Sequence, residues 1–447
     1  MFTSSRRKSR RRIVFSGAVA LLLVGIATAP AQAESIRSQQ WHLTAMKAEE
    51  VWEISTGKGI TVAVVDSGVD PNNPDLRGQV LDGKDFTSKD AGNEHTDYTG
   101  HGTGMAGLIA GTGRSGGGDG AFGLAPGVKI VPIRVHAGGN VAADGEKAFN
   151  RQLALSIRYA VDRGIKVINI SQGTASGSQV LSDAVKYALD KGTLIFASAG
   201  NDGTRFVEYP AGTPGVVGVG AIGENLQKTE ESQVGPQVDL SAPGDDVVHA
   251  CGGKTGLCKS HGTSDATALA SATAALIWSK HPDWTNNQVL RVMLNTAGKP
   301  TSGKQRNDYV GYGAVRPLVA LKTPGVPGPA DEYPLPDLAA AAPKAPSSEA
   351  SQPAEGNDAG NSQDNKETKP ASSASDDDSN TGLWLALGVG AAAVLGAGIA
   401  VPLVRARRRR EPVPASPAVP PAPWSGYQQP PISQEQFRSH SDEWRQP

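Results

Sequence analysis

Five short stretches constrain this chain more than anything else in it: ITVAVVD (60–66), VKIVPIRV (128–135), IKVINIS (165–171), TLIFASA (193–199) and VVGVGAI (216–222). Each is almost unbroken in apolar residues, many of them β-branched. A strand with one wet face alternates apolar and polar side chains, whereas an unbroken apolar run has no face to offer water. Such strands pair in parallel inside a sheet covered on both sides. Parallel pairing needs long crossovers, and helical spacing fills the gaps. Leu181, Ala184, Val185, Ala188 and Leu189 recur on one helix face, with Gly192 placed to close that helix as its C′ residue. Thr285 and Gln288 form a capping-box pair that opens a helix carrying Val289, Leu290 and Met293. The alternation predicts an α/β fold, a doubly wound and mostly parallel sheet with helices on both faces. Ligands and chemistry in such sheets gather outside the carboxyl ends of the strands.

The flanks read differently. Arg6, Arg7, Lys8, Arg10, Arg11 and Arg12 precede an apolar stretch from Ile13 to Ala29, and Ala31-Gln32-Ala33 supplies a small-residue cleavage site. Basic, apolar and small-residue regions in that order make residues 1–33 a secretory signal peptide, by the Sec or the twin-arginine route. Residues 34–321 are long enough for one large globular domain. Residues 322–381 are rich in Pro, Ala, Ser, Asp and Glu and lack the apolar surface that would offset the entropy of ordering, which predicts a flexible linker. Leu383 to Val404 carry no charge, and residues 382–404 are long enough to cross a bilayer as one helix. Arg405 and Arg407 to Arg410 follow at once, so the basic and Pro-rich tail 405–447 should lie in the cytoplasm and the domain outside the cell.

Acidic and basic side chains number 44 and 43 in 447 residues, a balance that argues against nucleic acid as a partner. Of the two cysteines, Cys251 and Cys258, a disulfide is the expected state outside the membrane; a zinc site would need a second thiol pair that is missing. The glycine-rich GTGRSGGGDGAFG (111–123) precedes a strand instead of following one, so it reads as a surface loop and not as a phosphate cradle.

Four polar residues fall where chemistry is expected. Asp66 ends the first apolar run, His101 opens the small-residue helix GHGTGMAG, Asn201 follows the fourth run, and Ser264 sits at the mouth of HGTSDATALASATAALIWS. Each has an ordinary reading too: turn former, loop residue, or, for Ser264, helix N-cap. His95 and His261 are rival bases. The pieces VVDSGVD, GHGTGMAG, ASAGN and HGTSDA, in that order, closely resemble the motifs of the subtilisin-like serine proteases, and the likeness runs from about Gln39 to Leu321. Signal, protease, Pro-rich stalk, span and basic flank together resemble the mycosins, membrane-anchored subtilases associated with type VII secretion in actinobacteria.

The resemblance implies a catalytic triad of Asp66, His101 and Ser264, with Ser264 both capping its helix and acting as nucleophile. Asn201 and the Ser264 N–H would form the oxyanion hole. Ser171, Gln172 and Gly173 would line the cleft and pair with an extended peptide. Ala199 and Gly200 would wall the pocket for the residue before the scissile bond, with Glu208 at its floor favouring Lys or Arg. Family members often bind calcium, but no acidic cluster names ligands here, so no metal site and no cofactor is assigned.

Some residues depart from the family pattern: Ala268 and Ala272 stand in place of a Pro and a Gly, Gly104 in place of a second His, and Asp265 in place of a large apolar residue. A carboxylate at 265 would raise the pKa of His101 or make the pocket polar. The 32 residues between position 34 and Asp66 leave no room for a long folding propeptide. As in mycosins, such a short extension would wrap the domain. The expected activity is a membrane-anchored, extracytoplasmic serine endopeptidase that selectively processes protein substrates of a type VII secretion system, with its membrane components as partners. A broad-specificity tethered subtilase and a scaffold that stabilises a secretion complex are the alternatives.

Overall fold

Three short helices, α1 (Ile36–Gln39), α2 (Trp41–Ala45) and α3 (Ala48–Trp52), lead into the first apolar run, which forms β1 (Thr61–Asp66). The chain continues through β2 (Lys84–Asp85), α4 (His101–Ala110), β3 (Lys129–Arg134), α5 (Ala143–Asp162), β4 (Val167–Ile170), α6 (Gln179–Asp190), β5 (Leu194–Ser198) and β6 (Val217–Ile222). It ends with β7 (Leu240–Pro243), a hairpin of β8 (Val247–Ala250) and β9 (Leu257–Ser260), then α7 (Thr263–Lys280), α8 (Asn286–Thr296), α9 (Pro317–Lys322) and α10 (Pro336–Ala341). This computed structural model describes residues 35–341 apart from 88–89, 137–142 and 253–254. The expected signal peptide, membrane span, tail and most of the linker lie outside the described residues. Among the described residues no helix is long and apolar enough to cross a membrane.

All five apolar runs form strands of one seven-stranded sheet, ordered β2-β3-β1-β4-β5-β6-β7 and paired in parallel throughout. Their lack of alternation has a plain cause. Along β1, Val62 and Val64 enter the core beneath α4 and α7, while Ala63 and Val65 enter a second core beneath α5 and α6. Leu194 and Phe196 of β5 likewise face the first core, and Ile195 and Ala197 the second. Helix α7 is buried from Thr263 to Trp278, so it shows no wet stripe, and its small residues let it lie directly on the sheet. The expected helix ends hold: Gly192 has φ 77°, and Thr285 and Gln288 make a complete capping box.

The short N-terminal extension packs onto the domain. Gln40 donates to the carbonyls of Phe122 and Val248 and accepts from the Phe122 N–H, and Leu43 is fully buried. At the other end, packing does not stop at 321. Arg291 donates to the carbonyls of Pro327, Pro329 and Glu332, the Tyr333 hydroxyl donates to the Gly215 carbonyl, and Leu335 is 2 % exposed. The first part of the expected linker is therefore a strap on the domain. Proline-rich composition forbids a core of its own, but it does not prevent docking on one already built.

Candidate active site

The strand order reverses beside β1, and the carboxyl ends there carry the polar residues singled out in the sequence. Asp66 closes β1 and is fully buried, and its Oδ1 lies 2.8 Å from His101 Nδ1. The Ser67 N–H donates to the same oxygen at 2.7 Å and Gln172 Nε2 at 3.1 Å. Burial alone would raise the Asp66 pKa, but the His101 charge and these hydrogen bonds outweigh it and hold the carboxyl below its usual range. His101 responds in kind. The Asp66 charge raises the imidazole pKa to about 9 against the opposing effect of burial, with smaller contributions from Asp265 and Asp97. With Nδ1 committed to Asp66, Nε2 is left to meet a proton from the cleft.

His101 is the first residue of α4, whose N-cap is Gly100 at φ 78°, a conformation suited to glycine and without a side chain to cap anything. Other residues do the capping. The His101 N–H donates to Thr99 Oγ1, Gly102 N–H to Ser67 Oγ, and Thr103 N–H to Asp97 Oδ2 at 2.8 Å. Every orphan donor of the first turn thus has a partner.

Ser264 does not cap α7. The N-cap is Gly262, at φ 138°, and Ser264 is the second helical residue, with its hydroxyl donating to the Ser171 carbonyl at 3.1 Å. The capping acceptor comes from 62 residues away: Asn201 Oδ1 accepts from the Thr263 N–H at 2.8 Å and from Thr263 Oγ1 at 2.9 Å. Since the atom facing an N–H must be oxygen, the Asn201 amide nitrogen points the other way, and Asn201 is exposed. Among the described residues no hydrogen bond joins Ser264 to His101; such contacts commonly close only once substrate is bound.

Ser171 is 5 % exposed and its side chain is turned inward, accepting from Asn169 Nδ2 and donating to the Ser264 carbonyl, so it fastens α7 to β4. The Gln172 side chain likewise turns to Asp66. Gly173 and Gly200 do face one another, with the Glu208 carboxylate between them. A Cβ on Gly173 would lie 2.8 Å from Glu208 Oε2, and one on Gly200, at φ 110°, 2.6 Å from Oε1. Ala199 is fully buried behind this wall. Burial raises the Glu208 pKa, a Gln233 hydrogen bond lowers it, and Asp202 adds to the rise. The rival bases are turned elsewhere, His95 to the Leu81 carbonyl and His261 to Glu231.

The family model of the subtilase family, peptidase S8, matches residues 57–313. The chain belongs to the subtilase family. It is 36% identical over 242 residues to the major intracellular serine protease of Bacillus subtilis (strain 168), covering 52% of this chain and 73% of that protein. Against subtilisin NAT of Bacillus subtilis subsp. natto the aligned part spans 61% of the relative's length. Among solved structures, MycP1 from Mycobacterium smegmatis matches with a TM-score of 0.56 and 30% identity over 65% of this chain and 86% of that one. The periplasmic assembly of the ESX-5 inner membrane complex matches with a TM-score of 0.59 and 27% identity, over 68% and 89%. The chain is thus a subtilisin-like serine protease, structurally like the mycosins of type VII secretion.

Where this subtilase departs from the family pattern, its own packing gives reasons. A Cβ on Gly104 would lie 2.7 Å from His249 Cε1, so the room a side chain would take there is already filled by the His249 ring. The Ser260 hydroxyl stands between His249 Nε2 at 2.7 Å and the Asp265 carboxylate at 2.9 Å. Asp265 is 1 % exposed, so it bonds Ser260 instead of making the pocket polar, and it does help raise the His101 pKa as expected. Cys251 and Cys258 form the expected disulfide, joining the end of β8 to β9. Among the described residues no group of three or more His, Cys, Asp or Glu side chains is placed to hold a metal ion.

Sequence reasoning missed Asp97, Ser67 and Thr99. The local start rule looks for the capping side chain at the N-cap itself, which is Gly100, so residues further upstream give it no signal. The Gln172–Asp66 contact, across 106 residues, left none either.

Proposed function

We propose that this subtilase is a membrane-anchored, extracytoplasmic endopeptidase with Asp66, His101 and Ser264 as its catalytic triad, selectively processing protein substrates of a type VII secretion system. The observation that carries the triad is the fully buried Asp66 carboxylate 2.8 Å from His101 Nδ1, which fixes the tautomer that leaves Nε2 basic. Ser264 Oγ would attack the scissile carbonyl carbon as His101 Nε2 takes its proton. Asp66 would offset the imidazolium charge without taking the proton. The Asn201 amide and the Ser264 N–H would receive the oxyanion. Collapse of the tetrahedral intermediate would return the proton to the leaving amine, and water would repeat the sequence on the acyl-enzyme. Losing one oxyanion donor costs about 2.7–4 kcal/mol of barrier, a magnitude obtained on a subtilisin.

The Glu208 carboxylate, held between Gly173 and Gly200, supports a preference for Lys or Arg before the scissile bond. A charge-assisted contact of this kind favours Lys over Leu peptides by about 10–100-fold, and Glu208→Gln should abolish the preference. Equal rates on the two peptides in the parent enzyme would remove the idea. The apolar run 383–404 and its basic flank support a single-span anchor with the domain outside. The chain should then stay in the membrane pellet through carbonate extraction.

Likeness to MycP1 and to a component of the ESX-5 periplasmic assembly supports the secretion role. The deciding experiment labels the full-length chain in detergent with a fluorophosphonate, beside Ser264→Ala and His101→Ala. Labelling that needs both residues supports the triad. A folded chain that stays unlabelled points to a scaffold. Near-inertness on casein separates selective processing from general degradation, and secretion restored in a deletion strain by Ser264→Ala would defeat the processing role.

A further inference from the structure

Ser171 and Gln172, adjacent residues at the exit of β4, touch two members of the proposed triad at once. The Ser171 carbonyl accepts from Ser264 Oγ, and Gln172 Nε2 donates to Asp66 Oδ1. Ser171 is itself fixed by Asn169 and by the Ser264 carbonyl, so the backbone that carries Gln172 is held against α7. The Gln172 amide must present nitrogen to Asp66, because its oxygen would meet a carboxylate with no proton between them.

A count of donors shows how much depends on that contact. Four groups lie within hydrogen-bond distance of Asp66 Oδ1: His101 Nδ1, the Ser67 N–H, Ser67 Oγ and Gln172 Nε2. Ser67 Oγ has a single proton and sits closer to Asp97 Oδ1, at 2.8 Å, than to Asp66 Oδ1, at 3.1 Å. It also accepts from Thr99 Oγ1 and the Gly102 N–H. Its proton therefore goes to Asp97. Asp66 Oδ2 is buried with no hydrogen-bond partner among the described residues. The carboxylate is thus gripped through one oxygen only, by a backbone N–H, by the histidine it serves and by Gln172.

We infer that Gln172 is a positioning residue, the side chain that holds the Asp66 carboxylate in line with His101, and that its amide serves the triad instead of binding substrate. This rests on the triad reading above. A carboxylate gripped by the Ser67 N–H alone can turn about its Cβ–Cγ bond and weaken the hydrogen bond that sets the imidazole tautomer. With Gln172 in place a second side of the molecule holds the same oxygen and opposes that rotation.

The test compares the parent chain with Gln172→Met, which keeps the length and loses the donor, and Gln172→Glu, which sets a second carboxylate against Asp66. Phosphonylation by a small alkyl fluorophosphonate reports the nucleophile without any peptide in the cleft. The expected result is a labelling rate about tenfold lower in Gln172→Met and lower still in Gln172→Glu. With a peptide substrate, kcat should fall by the same factor while KM stays within about twofold, and melting temperatures should be close to the parent's. Unchanged labelling with a raised KM would make Gln172 a substrate-contacting residue and overturn the inference while the triad stands. No labelling of the parent chain would instead defeat the triad reading, and this inference with it.

Discussion

Replacing Asp97 by alanine should loosen the start of α4 and, with it, the footing of His101. The carboxylate accepts from the Gly100 N–H at 2.9 Å, the Thr103 N–H at 2.8 Å and Thr103 Oγ1 at 2.7 Å, and it takes the Ser67 hydroxyl at 2.8 Å. The N-cap Gly100 has no side chain to replace it, and Thr99 and Ser67 already serve the His101 and Gly102 N–H groups. Loss of a capping side chain costs about 1–2 kcal/mol, and loss of an anion at the positive end of a helix about 0.3–1 kcal/mol more. The site is half-exposed, so water replaces the remaining contacts, and the total should be about 2–3 kcal/mol. For a domain of about 300 residues that lowers the melting temperature by roughly 3–5 °C. Asp97→Asn keeps one acceptor and should lose about half as much. Urea unfolding followed by tryptophan fluorescence measures both variants. Asp97 is also one of the charges that raise the His101 pKa, so the acid limb of kcat/KM should move to lower pH in both. An unfolding midpoint unchanged in Asp97→Ala would show that solvent caps the helix as well as the carboxylate does, and would refute the reasoning.

Activity of the parent enzyme should rise with pH along a limb above the ordinary imidazole value of 6.5 and no higher than about 9, since the His101 ring is 37% exposed and solvent screens part of the Asp66 attraction. The same pair shapes stability. The raised His101 pKa contributes fully below 6.5, and the contribution is lost as pH climbs towards about 9, whereas the depressed Asp66 pKa contributes above 3.8 and is lost as pH falls below that. Urea midpoints should therefore peak between those limits, and a flat profile from pH 3 to pH 10 would refute the coupling. Cys251→Ser together with Cys258→Ser opens a loop of sequence separation 7, which should cost about 2–2.5 kcal/mol of unfolding free energy and slow Ser264 labelling, because β9 runs straight into Gly262. Arg291→Ala should release the strap, seen as faster proteolysis and hydrogen exchange across 323–335 with the global midpoint shifted by less than about 1 kcal/mol.

The strands were legible because burial on both faces leaves a mark in composition itself, and α4 and α7 because short motifs open them. What escaped was short or distant. The edge strand β2 has two residues, and β7 reads Leu-Ser-Ala-Pro, too brief to announce a strand. A rule that sees only neighbours in sequence makes Ser264 the cap, while the acceptor that fills the role, Asn201, arrives through the fold from the end of β5. Resemblance to the family places Gln172 along the cleft, and the turn of its amide to Asp66 is visible only in the fold. The strap was missed because composition averages over a segment, and a few well-placed residues, Tyr333 and Leu335 among them, are enough to dock an otherwise polar chain.

The contact between Gly104 and His249 means that neither position can change freely by itself. A methyl group added at 104 meets the imidazole at 2.7 Å, and trimming His249 first leaves a hole in a fully packed layer and strips Ser260 of a partner. Each single step is costly while the paired exchange, a side chain at 104 for a small residue at 249, conserves volume. Two residues far apart in the chain therefore behave as one inherited character. A lineage that holds this pairing is separated from the arrangement with a bulkier residue at 104 by an intermediate that packs poorly whichever change comes first.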